Sequence, residues 1–281
     1  MASKVYTMTF DNGKDKLVIG AGTEYGIVSY EGFDNTNIDV ELEEYQFDGG
    51  KIIRQRIGSR AMSVHFHCKQ SNIERKFFME GFFSPHKPGT ITVNNQGHYR
   101  QASYIVTSLE DKQENLHSGI EFELQMKSPE GYFADPDYTL VEMNSWEGGF
   151  TLPSDLPFSL RHRGIAQKVI INEGQADTPV WVQFKGPATS PKVRNVTTGL
   201  HVQVATSLTE GQTLHIKTDE NRPEVLIEEN GVFTNGYPLI TDATSLEMRL
   251  VEGDNLLKYE SADANQINQV NVLYKNRYLG V

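Results

Sequence analysis

The stretch Met62-Ser63-Val64-His65-Phe66-His67-Cys68 decides the fold class. Every second residue from Met62 is apolar, so an extended chain sorts its side chains onto two faces, one for a core and one for solvent. A helix would need the apolar positions three and four apart. The period of two returns where Ile120, Phe122, Leu124 and Met126 alternate with Glu121, Glu123 and Gln125, and again at Val180, Val182 and Phe184. These runs read as half-buried antiparallel strands.

Turn chemistry falls between the strands. Asn12-Gly13, Asp48-Gly49-Gly50, Asn230-Gly231 and Gly253-Asp254-Asn255 each separate apolar runs. Asn and Gly tolerate the positive φ that tight hairpin turns need. One segment breaks the pattern. Ser71 and Glu74 have the spacing of a capping box, Ile73 and Phe77 stack one turn apart, and Ser84-Pro85 ends the run, which predicts one short helix. The stretch from Glu147 to Pro157 holds two Gly and two Pro and reads as a linker or crossover, and about nine short strand candidates follow it without a helical period. The expected fold is mostly β: an α+β N-terminal domain at 1–145 with one short helix, and an antiparallel β-sandwich at 146–281.

The chain has 281 residues, 38% of them hydrophobic and 22% charged, enough apolar material for two cores. Its formal net charge of −11 and the absence of any basic patch argue against a nucleic-acid grip, which rests on clustered Lys and Arg. One cysteine, Cys68, permits no intrachain disulfide. The opening MASKVYTMTFDN lacks the apolar core of a signal peptide, and no apolar run nears the roughly 18 residues of a membrane span. The expectation is a protein made in a cytoplasm.

No catalytic constellation stands out. His65 and His67 share a strand face while Cys68 points away, and no third ligand completes a zinc set. Gly20, Gly22 and Gly26 hint at a dinucleotide loop, but the residues after them, Tyr25 to Tyr30, read as a strand where a helix is required. The stretch opened by Asp34 fails the calcium-loop pattern. Asn195-Val196-Thr197 is a glycosylation sequon that matters only in a secretory pathway. Serine-hydrolase, P-loop and kinase motifs are absent, and nothing singles out a carboxylate pair for glycoside hydrolysis. No enzyme, cofactor or metal is expected. Asp39, Glu41 and Glu43 alternate with Val40 and Leu42, so three acids project from one strand face, towards solvent, a partner or a channel.

Three C-terminal stretches carry a resemblance: TPVWVQFKGPATSPKVRNVTTG (178–199), LTEGQTLHIKT (208–218) and SLEMRLVEGDNLLKY (245–259), with RYLGV closing the chain. They resemble, in order, the strand, glycine turn and N-x-T-T-G hairpin of the siphophage distal tail proteins, their G-E-x-l-x-I-D-T segment and their S-x-f-x-L-x-x-G-x-N segment. Ser190, Gln212 and Lys217 depart from the pattern. GSRAMSVHFHCK (58–69), FFSPHKPGTITVNNQGHYRQ (82–101) and LQMKSPEGYFADP (124–136) resemble N-terminal segments of the same family more loosely, with Ser128 and Gly131 replacing a Cys and a Pro.

The resemblance implies a virion structural protein of the phage tail tip, made in the host cytoplasm. It implies a homo-hexameric ring built by the N-terminal domain and a peripheral galectin-like sandwich. Its partners would be further copies of itself, the tail tube protein, a tail-associated hub or fibre protein, and in some members a receptor-binding protein. Within that frame the hairpin-like stretch Ile38–Ile57, with Tyr45, Phe47, Arg54 and Arg56, is expected to reach a neighbouring subunit. Asp39, Glu41 and Glu43 would line the channel. The alternative reading is a host-surface carbohydrate-binding module in which Trp181 and Tyr237 offer aromatic faces to a sugar.

Overall fold

The computed structural model describes residues 6–34, 38–69, 73–113, 119–144, 146–147, 162–163, 167–219, 222–262 and 269–281. The chain divides into two compact units: Met1–Pro136 with Arg277–Val281, and Asp137–Asn276. The sequence placed the division at 145/146. The structure gives 137–145 to the second unit and returns the last five residues to the first.

The first unit holds β1 (Tyr6–Asp11), β2 (Lys16–Gly20), β3 (Tyr25–Glu31), β4 (Ile38–Glu44), β5 (Gly50–Ile57) and β6 (Arg60–Cys68). A single helix, α1 (Ile73–Phe82), precedes β7 (Gly89–Asn95), β8 (His98–Lys112), β9 (Ile120–Ser128) and β10 (Phe133–Ala134). Seven strands pair in the order β2-β1-β7-β8-β9-β6-β3, all antiparallel. The deciding stretch is the middle of β6. Met62, Val64, Phe66 and Cys68 are buried and each faces an apolar residue of β9, from Met126 to Ile120. Phe66 stacks on Phe122 at 5.3 Å, and Phe10 meets Phe83 and Tyr104 edge-on. Burial in this core pushes the Tyr104 phenol above its usual range. The Ser71 half of the expected capping box lies outside the described residues.

The first unit's sheet also takes in the chain's last strand. Phe133 and Ala134 pair with Tyr278 and Arg277. Arg60, almost fully buried, ties the junction together: it donates to the carbonyls of Gly32 (2.9 Å), Gly131 (3.0 Å) and Leu279 (2.5 Å) and lies over the Phe133 ring. A guanidinium spreads its donors in a fixed fork, which suits it to three carbonyls from three segments.

The second unit holds β11 (Thr139–Asn144), the short pair β12 (Trp146–Glu147) and β13 (His162–Arg163), β14 (Gln167–Asn172), β15 (Thr178–Lys185), β16 (Ala188–Thr189), β17 (Lys192–Asn195), β18 (His201–Gln203) and β19 (Ser207–Leu208). Then come β20 (Gln212–Lys217), β21 (Glu224–Glu229), β22 (Val232–Asn235), β23 (Arg249–Leu250), β24 (Gly253–Glu260) and β25 (Gln269–Tyr274); β26 (Arg277–Tyr278) belongs to the first unit. Two antiparallel sheets, β11-β25-β15-β20-β21-β22 and β14-β24-β17-β18, face one another as a sandwich. Val182, Phe184, Leu214 and Val272 of one sheet share a core with Ile170, Val193, Val202 and Leu257 of the other. Most of the Gly/Pro-rich stretch after Glu147 lies outside the described residues.

Two of the stretches that carried the resemblance, 178–199 and 245–259, meet around buried asparagines. Asn195 Nδ2 donates to the Arg249 carbonyl (2.9 Å) and to Asn255 Oδ1 (3.1 Å), while its own Oδ1 accepts from Thr197 N. Asn255 Nδ2 donates to the carbonyls of Val251 and Gly253. Both side chains are fully buried, so the sequon at Asn195 is an internal lock and offers no acceptor at the surface.

Candidate assembly surface

β4 and β5 pair only with each other, and every residue of both except Ile57 is exposed. Opposite residues of an antiparallel pair lie on the same face. Ile38, Val40 and Leu42 therefore share a face with Ile57, Gln55 and Ile52, while Asp39, Glu41 and Glu43 share the other with Arg56, Arg54 and Lys51. A bulge between Glu41 and Leu42 keeps this sorting in step. The ribbon is two-faced: one side aliphatic, the other charged. Ile38, Val40, Leu42 and Ile52 are each about half exposed or more, and Tyr45 and Phe47 project near the tip, Phe47 at 84%.

This geometry recasts the acidic stripe. Each acid faces a base, and Arg56 Nε bonds Asp39 Oδ2 at 3.1 Å. The face is a balanced checkerboard, so its field on a passing polyanion is far weaker than three unpaired carboxylates would produce. The expected contact residues divide in two: Arg54 and Arg56 belong to the charged face, Tyr45 and Phe47 to the tip.

Helix α1 carries a second exposed apolar face. Met79 and Phe82 are buried, and the bases beside them are tied inward, Arg75 to Glu24 (2.7 Å) and Lys76 to Asp111 (2.8 Å). Ile73, Phe77 and Phe78 are exposed at 62%, 62% and 44%. The pair that marked the helix in the sequence thus faces outward. Sequence reasoning missed this face because a helical period names the apolar positions without saying which neighbour covers them.

The other candidate positions fall elsewhere. His65 bonds Glu121 at 3.1 Å, and the His67 ring lies against Gly26. Among the described residues no group of three metal-binding side chains converges. The run Gly20–Gly26 enters strand β3 beside a groove of about 680 Å³ lined by Tyr6, Tyr30 and His67, with no helix N-terminus following to hold a phosphate. Trp181 stands on the outward face of β15 in an aromatic row: Tyr138, Trp181, His215 and Phe233, with successive ring centroids 5.6–5.7 Å apart. The Lys217 ammonium sits 5.0 Å over the Trp181 ring, so that ring is already engaged by its neighbours. Tyr237 lies in a 3-10 turn with its hydroxyl donating to the Pro223 carbonyl. No helix among the described residues is long and apolar enough to cross a membrane.

Residues 173–278, the bulk of the second unit, match the family model of the siphovirus-type tail component, C-terminal domain. That stretch is similar to the C-terminal domain of siphovirus-type tail components. No curated protein matches it in sequence. In fold, the chain is similar to the SPP1 Dit protein, described as a paradigm of the hub adsorption apparatus of phages infecting Gram-positive bacteria. The TM-score is 0.70 at 12% identity, over 98% of this chain and 100% of that one. It is also similar to chains of the phage P2 baseplate in its activated conformation. With calcium the TM-score is 0.57 at 12% identity, over 97% of this chain and 98% of that one; with strontium it is 0.55 at 12%, over 96% and 98%. The resemblance to the distal tail proteins read from the sequence is borne out, and so is the mostly β, antiparallel fold.

Proposed function

We propose that this protein is a ring-forming subunit of the distal tail, joining the tail tube to the hub or fibre at the tip, and that its role is structural rather than catalytic. The observation that carries the proposal is the β4–β5 ribbon, a two-stranded sheet exposed on both faces. An isolated two-stranded hairpin is at best marginally stable in water. Its aliphatic face gains stability only when something covers it, at roughly 25 cal/mol for each Å² removed from water. A neighbouring copy in a closed ring, with six copies as in the resemblance, supplies that cover at every position at once. In this reading the subunit acts in the virion at the tail tip after synthesis in the host cytoplasm.

The test is native mass spectrometry of the full chain with electron microscopy of the particles. A six-membered ring is expected, and replacing residues 39–56 by a short Gly-Ser turn should leave monomers. Rings that persist without the ribbon would sink the proposal.

A further inference from the structure

We infer that the outward face of α1 is the seat on which the ribbon's aliphatic face rests, the helix belonging to one copy of the chain and the ribbon to the next. This inference rests on the ring reading above. In a head-to-tail ring, every subunit carries both halves of one heterologous contact. The ribbon is one half, so the other must be exposed and apolar elsewhere on the chain, and the resemblance gives the ring to the N-terminal unit.

The first unit offers few places. Apart from the ribbon, its other exposed large hydrophobics are scattered over β2, β3 and β8 or stand alone at Leu279. Among the described residues of this unit outside the ribbon, α1 alone gathers three on one element, Ile73, Phe77 and Phe78. Each of its two phenylalanines exposes on the order of 100 Å². In this chain neither the ribbon's face nor the helix's face is covered by the other, since both remain exposed.

Gly81 is an independent sign. It lies four residues after Phe77 and three after Phe78, on the same outward side of α1. A Cβ added there would meet nothing within 4 Å, and its φ is not in the left-handed region. Glycine inside a helix costs about 1 kcal/mol relative to alanine. Nothing within the chain calls for that cost. A strand pressed against the helix backbone between the two phenylalanines does call for it.

Charge agrees with the placement. The helix's bases, Arg75 and Lys76, are tied inward, while Glu74 lies on the outward face one turn before Phe78 and Glu80 at its edge. In the ribbon, β4 carries the acids and β5 the bases, Lys51, Arg54 and Arg56. The outward side of α1 thus carries acids, which favours the orientation in which β5 lies nearest α1.

The experiment uses full-length protein carrying Leu42→Cys in one preparation and Phe77→Cys in another, mixed and oxidised. Native Cys68 is buried, and the wild-type chain serves as the control. A disulfide-linked dimer joining positions 42 and 77 is expected. A preparation that forms rings by native mass but yields no such dimer overturns this inference and leaves the ring reading standing. A wild-type chain that stays monomeric at every concentration overturns both. As a second readout, Gly81→Leu should weaken self-association at least tenfold while the thermal melt holds or rises. Gly81→Leu protein that assembles like wild type also overturns the inference.

Discussion

Two hairpins of this molecule start from similar turn chemistry and end in different situations. β21–β22 closes on Asn230-Gly231, both at positive φ, and β21 pairs on its other side with β20, so the hairpin is the edge of a larger sheet. β4–β5 closes near Asp48-Gly49-Gly50 and has no third strand. The first hairpin has Val225 buried in the sandwich core, whereas the second buries nothing of comparable size. The difference separates an element that finishes a sheet from one whose aliphatic face nothing in the described chain covers.

The comparison can be broken first at the ribbon itself. Val40→Asp with Leu42→Asp should lower self-association at least hundredfold in sedimentation. The melt of the monomer should scarcely move, because exposed substitutions usually stay within about 0.5 kcal/mol. A large loss of monomer stability would mean that the ribbon completes its own unit after all. The converse change lies in the sandwich. Asn195→Ala takes a buried donor from the Arg249 carbonyl and from Asn255 Oδ1, which keeps its bond from Val251 N, and a buried group so deprived costs about 1–3 kcal/mol. Denaturant unfolding of the second unit should shift by that order while rings still form. Loss of rings in this variant would show that the two units do not divide the work as argued.

A smaller effect tests the checkerboard. Asp39→Arg and Arg56→Asp should each weaken the ribbon slightly, and the double exchange should recover most of the loss in a double-mutant cycle. Both side chains are more than half exposed, so the coupling should fall within about 0.2–1 kcal/mol. Replacing the three acids of β4 by Lys would set them against Arg56, Arg54 and Lys51, so it tests repulsion within the ribbon before it tests any channel.

The smallest expected change is a titration. Burial, then the charges of Lys192 and Arg194, hold the His201 imidazole below its usual range, while Glu260 pulls the other way. The folded state thus resists protonation more than the unfolded chain. Its stability contribution is present above the unfolded value near 6.5 and is lost as the pH falls through it. Lys192→Gln should raise the His201 value in an NMR titration; a fall, or no change, would remove Lys192 from the account.

Much of the fold was legible because alternation is a local signal. β6, β9 and β15 stand where Met62–Cys68, Ile120–Met126 and Val180–Phe184 were read. What escaped was information that needs a second segment. The acids of β4 looked like a stripe because β5 pairs with them through a bulge that no single strand announces. Ile73 and Phe77 marked a helix correctly, yet Met79 and Phe82 are the residues it buries. Trp181 was visible as an aromatic, but its row with Tyr138, His215 and Phe233 draws on three further segments. The asparagines at 195 and 255 drew notice as a sequon and a turn, and their shared bond appears only once β17 and β24 lie side by side.

The return of Arg277–Val281 to the first unit also bears on how such a chain can be rearranged. Ala134 and Arg277 lie opposite one another in an antiparallel pair, so the chain leaves the first unit and re-enters it through adjacent strands, Cα atoms roughly 5 Å apart. The second unit occupies the place of a hairpin loop. A socket of that kind accepts any module whose own ends lie close together, whatever its size, and it closes over a short turn if the module is removed. The Arg60 clamp secures both rims of the socket, at Gly131 and Leu279, from the first unit's side alone. The second unit is thereby open to exchange by recombination, while the framework of the first unit stays unchanged.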